Sequence, residues 1–357
     1  MLNHEAFMLR AIELAKRGRG AVSPNPLVGC VLVKDGEIIG EGYHEKFGGE
    51  HAEVMAFKNA IKDPIDCSVY VNLEPCNIDS KTPPCTKFLK ENGAAEVFIS
   101  TIDPNPDISG KGIEELNCLN IKTTLGILED EARQMNRGFF KWVRTGKPWV
   151  IVKIAQSSNR KMGKDNTSSH WITNDTSRKH SHLLRSEVDA ILIGKNTAKV
   201  DDPSLTVRLV NGNNPIRVVV DTNRTLPQDL SLFNDNEADT VVLCSSNQFS
   251  NNHTSHCEYI GVNEVGDLLD PASILLKLAN FGITSVLIEG GPKLIHSFYK
   301  EGLIDEIYEY TSPEELDAVG MDNPINIDNN WEHVDRMNLA GDSLKIFLSK
   351  EVECLVE

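Results

Sequence analysis

The sequence alternates between helical and strand patterns, and this alternation restricts its fold more than any other feature. Apolar residues recur at helical spacing from Glu5 to Lys16, and the turn pair Asp35-Gly36 joins two strand-like segments at 27–34 and 37–42. Further segments predict a helix at 52–61, a strand at 68–73, a helix at 86–92 and a strand at 96–101. Such alternation favours a parallel-rich sheet with helices on its faces.

A second alternating block begins after the turn-rich residues 144–148. Its predicted strands are 149–154, 190–193, 217–221, 240–244 and 285–289. Residues 245–270 are polar and weakly patterned, which predicts a surface loop region. We place a domain boundary near residue 146 and expect two domains, 1–145 and 146–357, in agreement with roughly 150 residues per domain.

Charge and hydropathy exclude several classes of function. The chain has 36 Lys and Arg against 52 Asp and Glu, a net charge of −16, which disfavours nucleic acid as a partner. Its apolar runs stop far short of the roughly 18–20 residues of a membrane span, so we expect no membrane partner. The N-terminus has no basic stretch followed by an apolar core, and a cytoplasmic location is therefore expected.

Four residues of the first block form a pattern with chemical meaning. His51 and Glu53 lie at a predicted helix start, Cys76 follows a predicted strand, and Cys85 opens the next helix. One imidazole and two thiolates suit Zn²⁺ and leave its fourth position for water, as in catalytic sites. A carboxylate two residues from the histidine can carry the water's proton to a leaving group, and Glu53 fits that role.

Two other interpretations of these residues stay open at this point. The zinc could be structural and completed by Cys67 or His44, or the cysteines could be buried core residues beside an incidental His-Ala-Glu. The combined pattern is typical of zinc-dependent nucleobase deaminases, in which H-x-E precedes P-C-x-x-C. Here the cysteines, Cys76 and Cys85, are further apart than in that pattern.

The second block carries a weaker signal. Residues 289–293, Glu-Gly-Gly-Pro-Lys, close a predicted strand and open a helix, and proline suits a first helical position. A helix N-terminus of this kind can bind a phosphate, although an ordinary strand-to-helix connection has the same pattern. The dinucleotide motif G-x-G-x-x-G is absent from the sequence.

Longer motifs in both blocks resemble one family. Residues 23–29 (SPNPLVG), 48–53 (GGEHAE), 75–85 (PCNIDSKTPPC) and 103–106 (DPNP) resemble deaminase motifs of the bifunctional riboflavin biosynthesis deaminase/reductases. The resemblance continues at 169–173 (SHWIT), 184–185, 189–194, 201–208 (DDPSLTVR) and 289–292. It implies an α/β fold, with a cytidine-deaminase-like α/β/α domain followed by a dihydrofolate-reductase-like α/β domain.

The resemblance also implies two activities. The first is zinc-dependent hydrolytic deamination of 2,5-diamino-6-(5-phosphoribosylamino)pyrimidin-4(3H)-one, and the second is NADPH-dependent reduction of its ribosyl group to ribityl. The expected partner is thus a small phosphorylated pyrimidine, and a homo-oligomer is expected. A deaminase whose second domain has lost or changed its reductase activity is the alternative.

Site residues follow from the matching motif positions. The resemblance implies that His51, Cys76 and Cys85 bind zinc and that Glu53 is catalytic. It implies substrate contacts for Asn25, His44, Lys81, Lys153, Ser169, Arg185, Leu205, Arg208 and Glu289. It implies NADPH contacts for Ala155, Trp171, Thr197, Asp201, Thr222, Gly291, Pro292, Lys293 and Leu294.

The chain departs from the family's usual sequence at two places. Ile78 stands where the family usually has histidine, and Ser80 where it has glycine, beside the expected pyrimidine site. Residues 157–160, Ser-Ser-Asn-Arg, stand where the family usually has Ser-Leu-Asp-Gly, beside the expected nicotinamide site. Arg160 therefore brings bulk and a cation to a glycine position.

Overall fold

The chain divides between Thr145 and Gly146 into two compact units. The structure, a computed structural model, describes residues 3–78, 83–163, 171–250, 257–317 and 320–351. Lys81, Ser80 and Ser169, which the sequence analysis singled out, lie outside these ranges. Among the described residues, no helix is long and apolar enough to cross a membrane.

The first unit is built on a five-stranded sheet of order β2-β1-β3-β4-β5. Its strands are β1 (Gly29–Lys34), β2 (Glu37–Tyr43), β3 (Ser68–Leu73), β4 (Glu96–Thr101) and β5 (Lys122–Leu125). Its helices are α1 (His4–Ala15), α2 (Ala52–Lys58), α3 (Cys85–Glu91), α4 (Lys111–Cys118), α5 (Glu129–Met135) and α6 (Arg137–Thr145). Strands β3, β4 and β5 are parallel, whereas β1 runs antiparallel to β2 and β3.

Helices cover both faces of this sheet because its strands alternate apolar side chains between the faces. Along β1, Val31 and Val33 pack with residues of α1, whereas Cys30 and Leu32 pack with residues of α2 and α3. A Cβ at Gly42 of β2 would lie 2.3 Å from a backbone nitrogen of α2, so the absence of a side chain lets this helix approach closely. Helices α2 and α3 consequently share one face.

Most predicted elements of the first unit are confirmed. The hairpin turn Asp35-Gly36 has positive φ at both residues, 53° and 79°, as a type I′ turn requires. The helix predicted to reach residue 61 ends at Lys58, because the Ile61 N–H instead donates to the Ile39 carbonyl of β2. The chain thus turns onto the sheet edge one turn earlier than its apolar pattern indicated.

The second unit contains a nine-stranded sheet of order β10-β9-β8-β7-β13-β6-β14-β16-β15. Its strands are β6 (Trp149–Gln156), β7 (Ala190–Gly194), β8 (Ile216–Val220), β9 (Thr240–Ser245), β10 (Cys257–Val262), β13 (Ser285–Gly290), β14 (Glu306–Thr311), β15 (Trp331–Leu339) and β16 (Asp342–Ser349). A separate hairpin joins β11 (Glu264–Val265) and β12 (Leu268–Leu269). The helices are α7 (Asp175–Arg185), α8 (Lys195–Asp201), α9 (Ser231–Asn234), α10 (Pro271–Asn280) and α11 (Pro292–Lys300).

Two apolar clusters enclose the parallel part of this sheet. One contains Leu192 and Val218 together with apolar residues of α10 and α11. The other contains Ile191 and Val219 together with Ala198, Leu205, Leu226, Leu230 and Leu232. Neighbouring residues of one strand thus face opposite sides, and the predicted strands of this unit are confirmed to within two residues at their ends.

The prediction of a surface loop at 245–270 is wrong. Strand β10 pairs in parallel with β9, and β11 and β12 follow it within the same stretch. Cys257, Tyr259 and Val262 are buried, but the residues between them are polar, small or partly exposed. An edge strand of this kind lacks the continuous apolar run that marks a central parallel strand.

Candidate active sites

Three secondary-structure elements of the first unit bring the predicted zinc ligands together. His51 directly precedes α2, Cys85 is the first residue of α3, and Cys76 follows the end of β3. The His51 Nδ1 atom lies 3.2 Å from Cys85 Sγ and 3.6 Å from Cys76 Sγ. One ligand atom from each residue lies within 4.8 Å of the other two.

The electrostatics of this cluster favour a thiolate. The neighbouring Cys85 thiol, by hydrogen bonding, lowers the pKa of Cys76 to about 4, and the pKa of Cys85 is raised well above its usual value. The same Cys76 sulfur raises the pKa of His51 to about 9. A metal-binding cysteine must be deprotonated, which the lowered pKa of Cys76 favours. Independently of these shifts, one imidazole and two cysteine sulfurs are donor types that zinc binds.

Glu53 lies in the first turn of α2, two residues after His51. Its side chain is buried, and this burial raises the pKa of its carboxyl group. Burial therefore favours the protonated form of this carboxyl group more than water does, which helps it to take up a proton. This position fits a proton carrier beside a metal-activated water.

His44 makes hydrogen bonds that suit substrate binding rather than metal binding. Its Nδ1 lies 2.9 Å from the Glu50 carbonyl oxygen, which can only accept, so this nitrogen carries the proton. Its Nε2 then accepts from the Asn25 side-chain amide at 3.0 Å. Burial lowers the pKa of His44, which favours this neutral form. Cys67 belongs to the apolar core, so neither residue supports the structural-zinc interpretation.

A cavity of about 410 Å³ opens beside these residues. Asn25, His44, His51, Glu53 and Cys76 all line it. Other residues that line the same cavity have no role predicted from the sequence, namely Phe47, Glu74, Asp103, Asn105, Phe139 and Trp142. Ile78, one of the departures from the family pattern, also lines the cavity.

Glu74 organises one wall of the cavity. Its Oε2 accepts from the backbone N–H groups of Asp103 and Gly110 at 3.2 and 2.9 Å, and its Oε1 accepts from those of Gly112 and Ile113 at 2.8 and 3.2 Å. Burial raises the pKa of Asp103, within this loop, to about 6. A glutamate directly before Pro-Cys in a motif was the signal that could have identified Glu74.

In the second unit, three predicted substrate residues form one charged cluster. Lys153 of β6 and Glu289 of β13 lie on adjacent parallel strands, with Nζ and Oε2 3.9 Å apart. Arg185, at the end of α7, makes a bidentate pair with Glu289 through distances of 2.6 and 2.8 Å. Burial opposes ionisation of Glu289, but Arg185 and Lys153 outweigh it and lower the pKa of this carboxyl group to about 2.

Thr206 links this cluster to Arg208. Its carbonyl oxygen accepts from Arg185 Nη1 at 3.2 Å, and its Oγ1 accepts from Arg208 Nη1 at 2.7 Å. His182, which the sequence analysis did not single out, accepts from the Arg208 backbone N–H at 3.0 Å through Nδ1. Leu205 has φ 55°, and its side chain packs in the apolar core. Any contact of Leu205 with substrate would therefore involve its backbone.

Residues predicted to bind the cofactor meet where β13 passes into α11. Gly291 has φ 79°, and Pro292 follows it at the first helical position. A Cβ at Gly290 would lie 2.9 Å from Thr197 Cγ2, and Leu294 lies beside Gly194. This side-chain-free turn at a helix N-terminus can approach a phosphate closely, which fits the pyrophosphate of NADPH.

The remaining predicted cofactor residues lie at several positions. Ala155 belongs to β6, Asp201 ends α8, and the Thr222 carbonyl beyond β8 accepts from Ser245 N–H at 3.0 Å. Lys293 is exposed in the first turn of α11. Trp171 is 73% exposed, and the Arg178 guanidinium lies 4.9 Å from its ring centre.

Two family models match the chain. Residues 1–101 match the cytidine and deoxycytidylate deaminase zinc-binding region, and residues 148–316 match the RibD C-terminal domain. The first match indicates zinc as the deaminase metal, and the second indicates an NADPH-dependent reductase. Both agree with the donor atoms and the glycine turn described above.

Comparison with individual proteins gives the same answer over most of the chain. The riboflavin biosynthesis protein RibD of Aquifex aeolicus is 39% identical over 310 residues, which are 86% of each chain. The RibD of Escherichia coli is 36% identical over 336 residues, 90% of this chain and 91% of the relative. The α/β fold of both units also occurs in a solved Thermotoga maritima protein described as a diaminohydroxyphosphoribosylaminopyrimidine deaminase/5-amino-6-(5-phosphoribosylamino)uracil reductase. That structure has a TM-score of 0.87, 34% identity and coverage of 97% of this chain and 98% of its own. The chain belongs to the RibD family of riboflavin biosynthesis proteins.

Proposed function

We propose that the chain deaminates 2,5-diamino-6-(5-phosphoribosylamino)pyrimidin-4(3H)-one in residues 1–145 and reduces the ribosyl group of the product in residues 146–357. One observation supports the proposal most strongly. The side-chain ligand atoms of His51, Cys76 and Cys85 lie within 4.8 Å of one another, beside buried Glu53 and a cavity of about 410 Å³. A chain that only deaminates is not favoured, because the RibD C-terminal model covers residues 148–316.

In the deamination, His51, Cys76 and Cys85 hold zinc. When bound, zinc supplies a Lewis acid that acidifies a water molecule. Glu53 would take a proton from the attacking water at its carboxylate and pass it to the leaving amino group, so that the water oxygen replaces the 2-amino group and ammonia leaves. The buried environment of Glu53 suits this role, because burial raises the pKa of its carboxyl group and so favours uptake of the proton.

Asn25, His44 and Lys81 bind the substrate in this proposal. The hydrogen bond between Asn25 Nδ2 and His44 Nε2 orients both side chains before substrate arrives. The second hydrogen of the Asn25 amide and its carbonyl oxygen remain suited to a pyrimidine edge. Lys81 supplies a cation that an anionic substrate needs in a chain with a net charge of −16.

In the reduction, bound NADPH supplies a hydride to the carbonyl carbon of the open-chain sugar. Lys153 holds a proton at Nζ for the carbonyl oxygen, and Glu289 keeps this ammonium group in place at 3.9 Å. Burial lowers the pKa of Lys153, which eases release of that proton. Arg208 binds the phosphate, since a guanidinium group matches its oxygens. Arg185, whose Nε and Nη2 are paired with Glu289, adds positive charge on the substrate side of this cluster.

The other proposed contacts complete this site. Ser169 and Leu205 contact the substrate. The residues that would hold NADPH are Ala155, Trp171, Thr197, Asp201, Thr222, Gly291, Pro292, Lys293 and Leu294.

We also propose a cytoplasmic location. The seven cysteines among the described residues are free thiols, which suits a reducing compartment. Assembly into a homo-oligomer remains a prediction, which the molar mass in solution would test.

The experiment that tests the proposed function is product analysis by mass spectrometry. The purified chain with zinc is incubated with the diaminopyrimidinone phosphate, with and without NADPH. We expect only the deaminated product without NADPH and the deaminated, reduced product with it. Unchanged substrate in both samples would contradict the deaminase assignment, and a deaminated product that NADPH leaves unchanged would contradict the reductase assignment.

A further inference from the structure

A buried asparagine that lies far from the zinc motifs in sequence binds the backbone of the segment that contains Asn25. Asn136 lies between α5 and α6, and its side chain is 3% exposed. Its Oδ1 accepts from the Leu27 backbone N–H at 2.8 Å, and its Nδ2 donates to the Leu27 carbonyl at 2.9 Å. Both backbone groups of one residue are therefore bound by one side-chain amide.

A second buried amide binds the same segment from the sheet. Asn72 of β3 accepts from the Gly29 N–H at 2.7 Å and donates to the Leu27 carbonyl at 2.9 Å. The Leu27 carbonyl thus accepts from Asn72 and Asn136 together, which uses both of its lone pairs. Buried polar groups paired in this way have one favourable geometry, because each lost bond leaves an unsatisfied group.

This geometry extends to the substrate-binding pair. Asn25 lies two residues before Leu27, and the Val28 carbonyl accepts from the His44 backbone N–H at 2.8 Å. His44 in turn accepts from the Asn25 side chain at 3.0 Å. A shift of Leu27 would therefore displace Asn25 relative to His44.

Asn136 also begins the helix that forms another part of the cavity wall. Its carbonyl oxygen accepts from the Phe140 N–H at 3.0 Å in the first turn of α6. Phe139, Trp142 and Val143 of this helix line the same cavity as Asn25 and His44. One residue thus connects two parts of the lining, and it lies beyond residues 1–101, which match the zinc-binding region.

We propose that Asn136 is a positioning residue for deamination, which acts through Leu27 on Asn25 and, through α6, on the cavity wall. This inference rests on the proposed deaminase function. It implies that the deaminase site needs Asn136 and helix α6 as well as the zinc motifs. The residue does not touch the reacting atoms, so its substitution should weaken substrate binding more than it slows the chemical step.

Asn136→Asp is the selective variant. An aspartate keeps an acceptor for the Leu27 N–H but faces the Leu27 carbonyl with an oxygen in place of the donor. We expect kcat/KM for deamination to fall by at least about tenfold, ~1.4 kcal/mol, mainly through KM. Zinc content and NADPH-dependent reduction of the deaminated substrate by the same full chain should be unchanged. Asn92→Asp is the matched control, because Asn92 donates to the Phe88 carbonyl at the end of α3.

A double-mutant cycle with Asn25→Ala tests whether Asn136 acts through Asn25. We expect kcat/KM of the double variant to lie within about twofold of that of Asn25→Ala alone, because the effects of coupled residues are not additive. Additive losses, or a native KM in Asn136→Asp, would overturn the inference. Asn136→Ser removes the amide without adding a charge and should also raise KM. Loss of zinc or of reductase activity in both variants would assign Asn136 to folding and overturn it as well. If the native chain itself does not deaminate, the proposed function fails instead.

Discussion

The guanidinium of Arg160 donates a 2.6 Å hydrogen bond to the carbonyl oxygen of Ile325. Arg160 has φ 62°, a conformation that favours glycine, which explains why the family usually has glycine there. Its own carbonyl accepts from the Asn323 N–H at 3.0 Å, and the Asn159 amide donates to the Leu316 carbonyl at 2.6 Å. Arg160 and its neighbour Asn159 therefore link the turn after β6 to the segment that follows β14 through hydrogen bonds.

For Arg160→Gly, we expect little change in NADPH binding. The left-handed conformation costs arginine roughly 1–2 kcal/mol, and its charged hydrogen bond contributes about 1.5–3 kcal/mol, so the two effects largely cancel in stability. Because the guanidinium is bound to Ile325, the NADPH dissociation constant should change by less than about threefold, ~0.6 kcal/mol. Isothermal titration calorimetry measures it. A tenfold weaker affinity would mean that Arg160 binds the cofactor.

For Cys85→Ser, we expect loss of zinc. A serine hydroxyl does not replace a thiolate as a zinc ligand, and removal of one of three protein ligands leaves two. Metal content per chain after dialysis measures the effect. Cys67→Ser is the control, since Cys67 lies in the apolar core and should not alter zinc content. Retention of zinc by Cys85→Ser, or its loss from Cys67→Ser, would show that the ligand set is different.

His182 should make the second unit less stable as the pH falls. Burial, followed by the charges of Arg185 and Arg208, lowers the pKa of His182 from 6.5 to about 4. Between these values the unfolded chain binds the proton and the folded chain does not, so the stability present above pH 6.5 is progressively lost toward pH 4. The unfolding of the second unit can be identified as the transition whose midpoint temperature NADPH raises. In His182→Gln, this midpoint temperature should depend less steeply on pH in this window. Equal slopes in thermal melts of both proteins would refute this.

Local patterns predicted the central strands well and singled out three residues whose side chains meet, because both depend on short-range periodicity and spacing. His51, Cys76 and Cys85 meet because α2 and α3 pack on one sheet face, as strand–helix alternation indicates. Edge strand β10 was missed, because polar and small residues interrupt its buried ones.

Other parts of the sites depend on long-range contacts that no local pattern contains. Phe139 and Trp142 line the deaminase cavity although they follow the zinc motif by more than one strand–helix repeat. Thr206 joins Arg185 to Arg208 partly through its backbone carbonyl, and a backbone group gives no sequence signal. The left-handed φ of Arg160 was likewise hidden, because arginine does not mark such a position as glycine does.

A fragment of residues 1–145 should deaminate the substrate without NADPH. It contains the proposed zinc ligands, Glu53, both asparagines that bind Leu27, and the described residues that line the cavity. We expect its kcat/KM to lie within about tenfold of the full chain's, ~1.4 kcal/mol. A fragment that folds and binds zinc but leaves the substrate unchanged would contradict the assignment of deamination to this unit.

The most direct test of two reactions at two separate sites is to measure both rates in Glu53→Gln. The account predicts that zinc is retained, that deamination falls by about 10² to 10⁴-fold, and that NADPH oxidation with the deaminated substrate keeps its native rate. Glu50→Gln, which alters an exposed carboxylate paired with Lys58, should leave both rates unchanged. Loss of both reactions in Glu53→Gln, or native deamination, would contradict the account.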